Sequence, residues 1–165
     1  DPRLCFRAAD LVTYRIGPAT HREAVAIVPL LRDESRAELG ALGYDDMEAT
    51  LVRLVCGCPY TFCGADDDGP LFIGGAVPDG EPGAAIVWML MSTRITDHQL
   101  FCLREMRKQA AAMSEKLPVL RNYTNVGHSR TTDWLTWLGF KVGEPMVHPQ
   151  TGNIVLPFER RVEHV

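Results

Sequence analysis

The sequence lacks an excess of positive charge: 17 lysines and arginines stand against 21 aspartates and glutamates, a net charge of −4. A general nucleic-acid binder needs a basic surface to displace counterions from phosphates, so no nucleic-acid partner is expected. Also missing is any apolar run of the roughly 18–20 residues that a membrane span requires. The longest, Ala84 to Met91, has the length of a strand, so no membrane association is expected. The histidines His21, His98, His128, His148 and His164 are scattered, without the spacing that gathers metal ligands on one helix face. Cysteines are few and odd in number, five in all, which argues against a disulfide framework and for a reducing compartment. Cys56, Cys58 and Cys63 have neither a second paired knuckle nor a nearby histidine, so small buried thiols are expected there and no metal site. Glycine is absent from Ala84 to Val126, which removes the residue that most readily lets a backbone approach an anion.

What is present is ordinary globular material. Hydrophobic residues make up 46% and charged residues 23% of a 165-residue chain, enough to bury a real core in one domain, 1–165. Leu11 to Ile16 reads as a strand. Thr20 with Glu23 forms a capping box for a helix carrying Ala24, Ile27, Val28 and Leu31. Pro29 should break that helix, giving a second piece through Glu34, Ala37 and Glu38. Asp45 or Asp46 caps a helix ending near Gly57. The period then changes to that of strands. Tyr60 to Ala65 and Leu71 to Val77 form a hairpin around Asp66-Asp67-Asp68-Gly69, and Ala84 to Met91 is a strand buried on both faces. Thr96 to Gln99 reads as the capping box of the longest helix. Pro118 to Tyr123 is a strand, Ser129 to Leu138 a helix closed by Gly139, and Phe140 to Val147 pairs with Ile154 to Phe158. The order β-α-α-β-β-β-α-β-α-β-β implies an α/β (α+β) fold, one mixed sheet with helices on both faces.

That order, with Trp134-Leu135-Thr136-Trp137-Leu138-Gly139-Phe140 after a strand, resembles the GNAT N-acetyltransferase superfamily over essentially the whole chain. A narrower resemblance joins Leu31 to Glu38, Ile86 to Leu90, Leu120-Arg121-Asn122 and the Trp134 to Phe140 run. Together these are similar to GNAT-like proteins of short-tailed bacteriophages, associated with the virion or its morphogenesis. That resemblance implies a structural or interaction module, other phage structural proteins as partners, and a location in the virion or in the host cytoplasm during assembly. The alternative it leaves open is an acetyl-CoA-dependent N-acyltransferase acting on a host or phage amine.

The superfamily resemblance implies three devices. A splayed fourth strand would pair with the pantetheine arm of acetyl-CoA, which places Trp88, Met89 and Leu90 at the cofactor. A loop of pattern Gln/Arg-x-x-Gly-x-Gly/Ala would cradle the pyrophosphate at a helix N-terminus. Here that loop reads Ser92 to Asp97 without glycine, leaving Arg94, Thr96, Asp97 and His98 as the cofactor-side residues. Asp97 adds a negative charge where a phosphate would sit. A base and an acid complete the chemistry. The expected tyrosine falls on Leu135 and a common asparagine on His128, so the candidate catalytic groups are Glu34, Glu38, Tyr123 and His128. With two devices altered, no cofactor is expected in the leading reading, and acetyl-CoA in the alternative. Trp134 and Trp137 lie three apart on one helix, so one is expected in the core and the other at an edge or a partner surface.

Overall fold

The computed structural model describes residues 11–40, 46–127 and 129–163. The elements are β1 (Arg15–Gly17), α1 (His21–Ile27), a 3-10 turn (Val28–Leu30), α2 (Asp33–Gly40), α3 (Met47–Gly57), β2 (Tyr60–Asp66), β3 (Gly69–Pro78) and β4 (Ala84–Met91). A 3-10 helix (Thr93–His98) then leads into α4 (Gln99–Lys116), β5 (Val119–Asn125), α5 (Ser129–Trp137), β6 (Lys141–Val142), β7 (Met146–Val147) and β8 (Ile154–Arg161). All eight strands join one mixed sheet of order β1-β2-β3-β4-β5-β8-β6, with β7 also paired to β8. Only the β4–β5 pairing is parallel among the described strands.

Helices cover both faces, as the element order implied. On one face α4 and α5 bury Cys102, Met106, Ala110, Met113, Leu135 and Leu138 against Phe62, Phe72, Val87, Leu120 and Phe158. On the other, α1 to α3 bury Ala24, Ile27, Leu39, Leu51 and Val55 against Cys63, Ile73 and Leu90. Strand β4 feeds both cores because its side chains alternate: Val87 faces α4, while Leu90 faces α1 to α3. That is the physical origin of its unbroken apolar run.

Local chemistry explains where the elements begin and end. The Thr20 N–H and hydroxyl both donate to the Glu23 carboxylate, which closes the start of α1. Pro29 lies in the 3-10 turn, and Arg36 donates back to the Val28 carbonyl at 2.8 Å and the Leu31 carbonyl at 3.2 Å. Three helices therefore precede β2, as the break at Pro29 implied, one more than the element order counts. The first strand is shorter than expected because Arg15 already pairs with Ala65, next to the end of β2 at Asp66, so the residues before it have almost no partner strand left to pair with. The strand expected over Phe140 to Val147 divides into β6 and β7. Pro145 cannot donate to a ladder, and the Gly143 N–H turns to the Pro157 carbonyl at 2.7 Å. Gly139 ends α5 at φ +95°, the left-handed cap that its place in the sequence requires.

Candidate functional site

Strands β4 and β5 make a fork. They pair only over Ala84 to Ile86 against Val119 to Arg121, and then separate while both continue. The Ser92 N–H donates to the Leu71 carbonyl of β3 at 2.8 Å. Strand alternation then turns the backbone of Leu90 and Trp88 toward β3, and that of Met91, Met89 and Val87 into the fork. The chain's own groups take most of these fork-facing positions. Asn122 donates its side-chain amide to the Val87 carbonyl at 2.7 Å, closing the apex where the strands part. At the mouth, the Met91 N–H donates to the Ser35 hydroxyl at 3.0 Å, and the Met91 carbonyl accepts the Arg32 N–H at 3.0 Å. The Met89 N–H and carbonyl remain, unclaimed by any side chain or loop backbone among the described residues. Ser35 is 1% exposed, so Ser35→Ala is expected to cost about 1–2 kcal/mol by stranding the buried Met91 N–H. Urea denaturation measures that loss, with the exposed Ser35 neighbour Ala37 unaffected.

The segment after β4 differs from its expected form. Thr96 does not cap the long helix. Ser92 does the capping, accepting the Arg94 N–H on its hydroxyl at 3.1 Å and the Ile95 N–H on its carbonyl at 3.2 Å. The result is the 3-10 helix Thr93–His98, which runs directly into α4, whose own N-cap residue His98 makes no side-chain cap bond. N–H groups that an anion would need are turned back into the helix. Arg94 is also withdrawn. Its guanidinium binds the Asp66 carboxylate at the end of β2 and lies 3.7 Å from Asp68. Asp66 is 4% exposed as a side chain, and His98 Nε2 lies 3.3 Å from the same carboxylate. Tyr14 completes the cluster, its hydroxyl 2.9 Å from His98 Nδ1 and its ring stacked on Phe101 at 4.0 Å. Burial alone would raise the Asp66 carboxyl's pKa. The Arg94 bond, the Asp68 N–H and the nearby cations reverse that and hold it below the usual carboxylate range. Arg94 Nη1 is buried without a hydrogen-bond partner among the described residues, so the guanidinium is tied to Asp66 through Nη2 while one of its nitrogens keeps an unused donor.

The other sequence-derived candidates do not converge on the fork. Glu34 and Glu38 are exposed on α2, and Glu34 lies 4.0 Å from Arg32. The buried positions of that helix are Ser35 and Leu39, so α2 presents a hydroxyl to the fork and turns the carboxylates away. Tyr123 stands 37% exposed on β5 with its ring against His148, 4.6 Å between centroids. His128 lies outside the described residues. Trp88 points to α3, where its indole N–H donates to Cys58 Sγ at 3.3 Å, and Leu90 is buried in the α1–α3 core. Thr96 and Asp97 are exposed. Cys56 is exposed, Cys58 holds Trp88, and Cys63 is buried with its thiol pushed up to about 12. Burial does the same to Cys102, also to about 12, leaving both as packing residues rather than nucleophiles. Among the described residues no three metal-ligating side chains come together.

The residues that shape this region and were not singled out from the sequence are Ser35, Asp66, Ser92 and Asn122. Asp66 carried a signal of sorts, as the first of three successive aspartates before Gly69, but that pattern reads equally well as a solvated turn. Set against acetyl-CoA, the geometry divides. The Met89 backbone fits a pantetheine arm, whereas the Ser92 to His98 segment does not fit a pyrophosphate.

No protein-family model matches the sequence, and neither does any curated protein. Solved structures do match. An acetyltransferase of the GNAT family from Streptococcus pneumoniae superposes with a TM-score of 0.62 at 13% identity, over 92% of this chain and 100% of that one. A GCN5-related N-acetyltransferase from Kribbella flavida gives 0.61 at 19% identity, over 90% and 98%. An aminoglycoside acetyltransferase solved in complex with coenzyme A gives 0.66 at 11% identity, over 90% and 95%. At such identities a likeness speaks for architecture, and the architecture of this chain is the GNAT acetyltransferase fold.

Proposed function

We propose that this chain uses the GNAT fold as a protein-binding module without acetyl transfer. The observation that carries this reading is the Asp66–Arg94–His98 cluster, which holds the segment after β4 in a closed form with its cation neutralised. Three features add support: no glycine lies between Gly83 and Gly127, Asn122 bridges the apex of the fork, and α2 turns Glu34 and Glu38 outward. The resemblance of the Leu31 to Glu38, Ile86 to Leu90, Leu120-Arg121-Asn122 and Trp134 to Phe140 segments to GNAT-like proteins of short-tailed phages supports a use in a virion or its assembly. Calorimetric titration with acetyl-CoA to millimolar concentration is expected to give no saturable heat. A saturable isotherm would overturn the reading. The phage setting is checked separately, by finding the chain at fixed stoichiometry in purified particles or assembly intermediates; its absence from both would remove that part.

One observation favours a second reading, an acetyl-CoA-dependent N-acyltransferase. The fork remains open beyond Ile86, and the Met89 N–H is directed into it. In that case the cofactor would have to meet the protein without the Arg94 guanidinium. The same titration separates the two.

A further inference from the structure

Along the outer side of α4 and the end of α5 runs an apolar groove of about 610 Å³. Leu100, Leu103 and Ala111 of α4 and the Trp137 ring of α5 line it. Leu100 is 80% exposed and Trp137 43%. These residues add nothing to the core, because α4 packs on the sheet through Cys102, Met106, Ala110 and Met113. Trp134, one turn earlier in α5, is the tryptophan that packs against that core. Three cations line the same groove, Arg104, Arg107 and Lys108, on a chain whose net charge is −4. Arg107 lies over the Trp137 ring, 4.9 Å from its centre, so its stem extends the apolar wall while its charge stays at the rim. Lys108 is engaged by Glu105 at 2.8 Å, whereas no ion pair holds Arg104 among the described residues.

These features select the occupant. A second copy docked across a two-fold axis would lay this patch on itself and oppose cations with cations, which is repulsive. A nucleic acid would use the arginines but leave Leu100, Leu103 and Ala111 desolvated against phosphate and sugar. From Leu100 to Ala111 the helix rises about 16 Å, the length of about three helical turns. We propose that the groove receives an acidic amphipathic helix of another protein. The helix's apolar residues sit on Leu100, Leu103, Ala111 and Trp137, and its carboxylates meet Arg104 and Arg107. Tryptophan and arginine are the side chains that most often dominate such contacts. This surface rests on the protein-binding reading above and gives it a partner chemistry.

The test titrates the intact protein with a synthetic helical peptide of about three turns, carrying leucines at i, i+3 and i+7 flanked by glutamates. Saturable binding is expected, read by calorimetry and by the change in tryptophan fluorescence, to which Trp137 contributes. The same peptide with lysines in place of the glutamates should bind at least about tenfold more weakly. The double variant Arg104→Glu/Arg107→Glu should invert that preference. Both positions are exposed, so the variant keeps its fold, which far-UV circular dichroism verifies. Equal affinity for the two peptides, an uninverted preference in the variant, or tighter binding of a single-stranded oligothymidylate overturns the proposal. Acetyl-CoA is titrated in parallel. Failure of the peptide with no acetyl-CoA heat removes this surface alone, whereas acetyl-CoA heat removes the wider reading.

Discussion

Asp66→Asn is expected to lower the free energy of unfolding by about 3 kcal/mol, the scale of removing one partner from a buried ion pair. Asp66 is 4% exposed and anchors Arg94, with His98 3.3 Å away. An asparagine of the same size keeps one acceptor and leaves the guanidinium charge in place, with Nη1 already lacking a partner. The pH dependence follows from the direction of the shift. The folded-state carboxyl titrates below its unfolded value of about 3.9, so its contribution is fully present above that value. It is lost as pH falls through the lower, folded pKa. Denaturant unfolding of the two proteins should therefore differ by a constant amount from neutral pH down to about pH 5, with the gap closing only below about pH 4. No difference at neutral pH would mean that the cluster does not hold the segment.

A comparable loss, about 3 kcal/mol at the upper end of the range for overpacked cores, is expected for Gly74→Ala. A Cβ at Gly74 would stand 2.5 Å from the Phe62 ring and 2.8 Å from the Trp88 carbonyl oxygen. Neither neighbour can yield cheaply. Phe62 is 1% exposed within the α4-side core, and the Trp88 carbonyl belongs to the β4 backbone, one residue from the fork-facing Met89. For a chain of this size the loss corresponds to a fall in Tm of roughly 6–12 °C. Gly17→Ala is the control, since a Cβ there meets nothing within 4 Å. It should change stability by no more than about 0.5 kcal/mol. Calorimetric scans of the three proteins decide it, and equal Tm values for the two variants would show that β3 and β4 can move apart.

The comparison of sequence and structure turns on range. Features set by neighbours in the chain were legible. The Thr20–Glu23 cap, the break at Pro29, the hairpin at Asp66 to Gly69 and the left-handed Gly139 all stand where residue types placed them. Ser92 and Thr96 show the limit. Each is a sound helix-capping residue, and the choice fell to Ser92 because its N–H already pairs with Leu71 of β3 and fixes the backbone there. The short first strand and the divided strand near Pro145 were decided in the same way, by the ends and carbonyls of partner strands distant in sequence.

By itself, the sequence determined the mixed sheet, its two helical layers, the largely buried character of β4, on which only Ile86 among its eight residues is exposed, and the absence of glycine from the segment that follows it. Those depend on side-chain periodicity and backbone freedom, which are properties of adjacent residues. Only the tertiary structure decided what becomes of that segment and of the fork. Asp66 reaches Arg94 across 28 positions, Asn122 reaches Val87 across 35, and Ser35 reaches Met91 across 56. None of these pairings has a local signature. Each exists because a buried polar group must find a partner, and the sheet order alone determines which partner lies within reach.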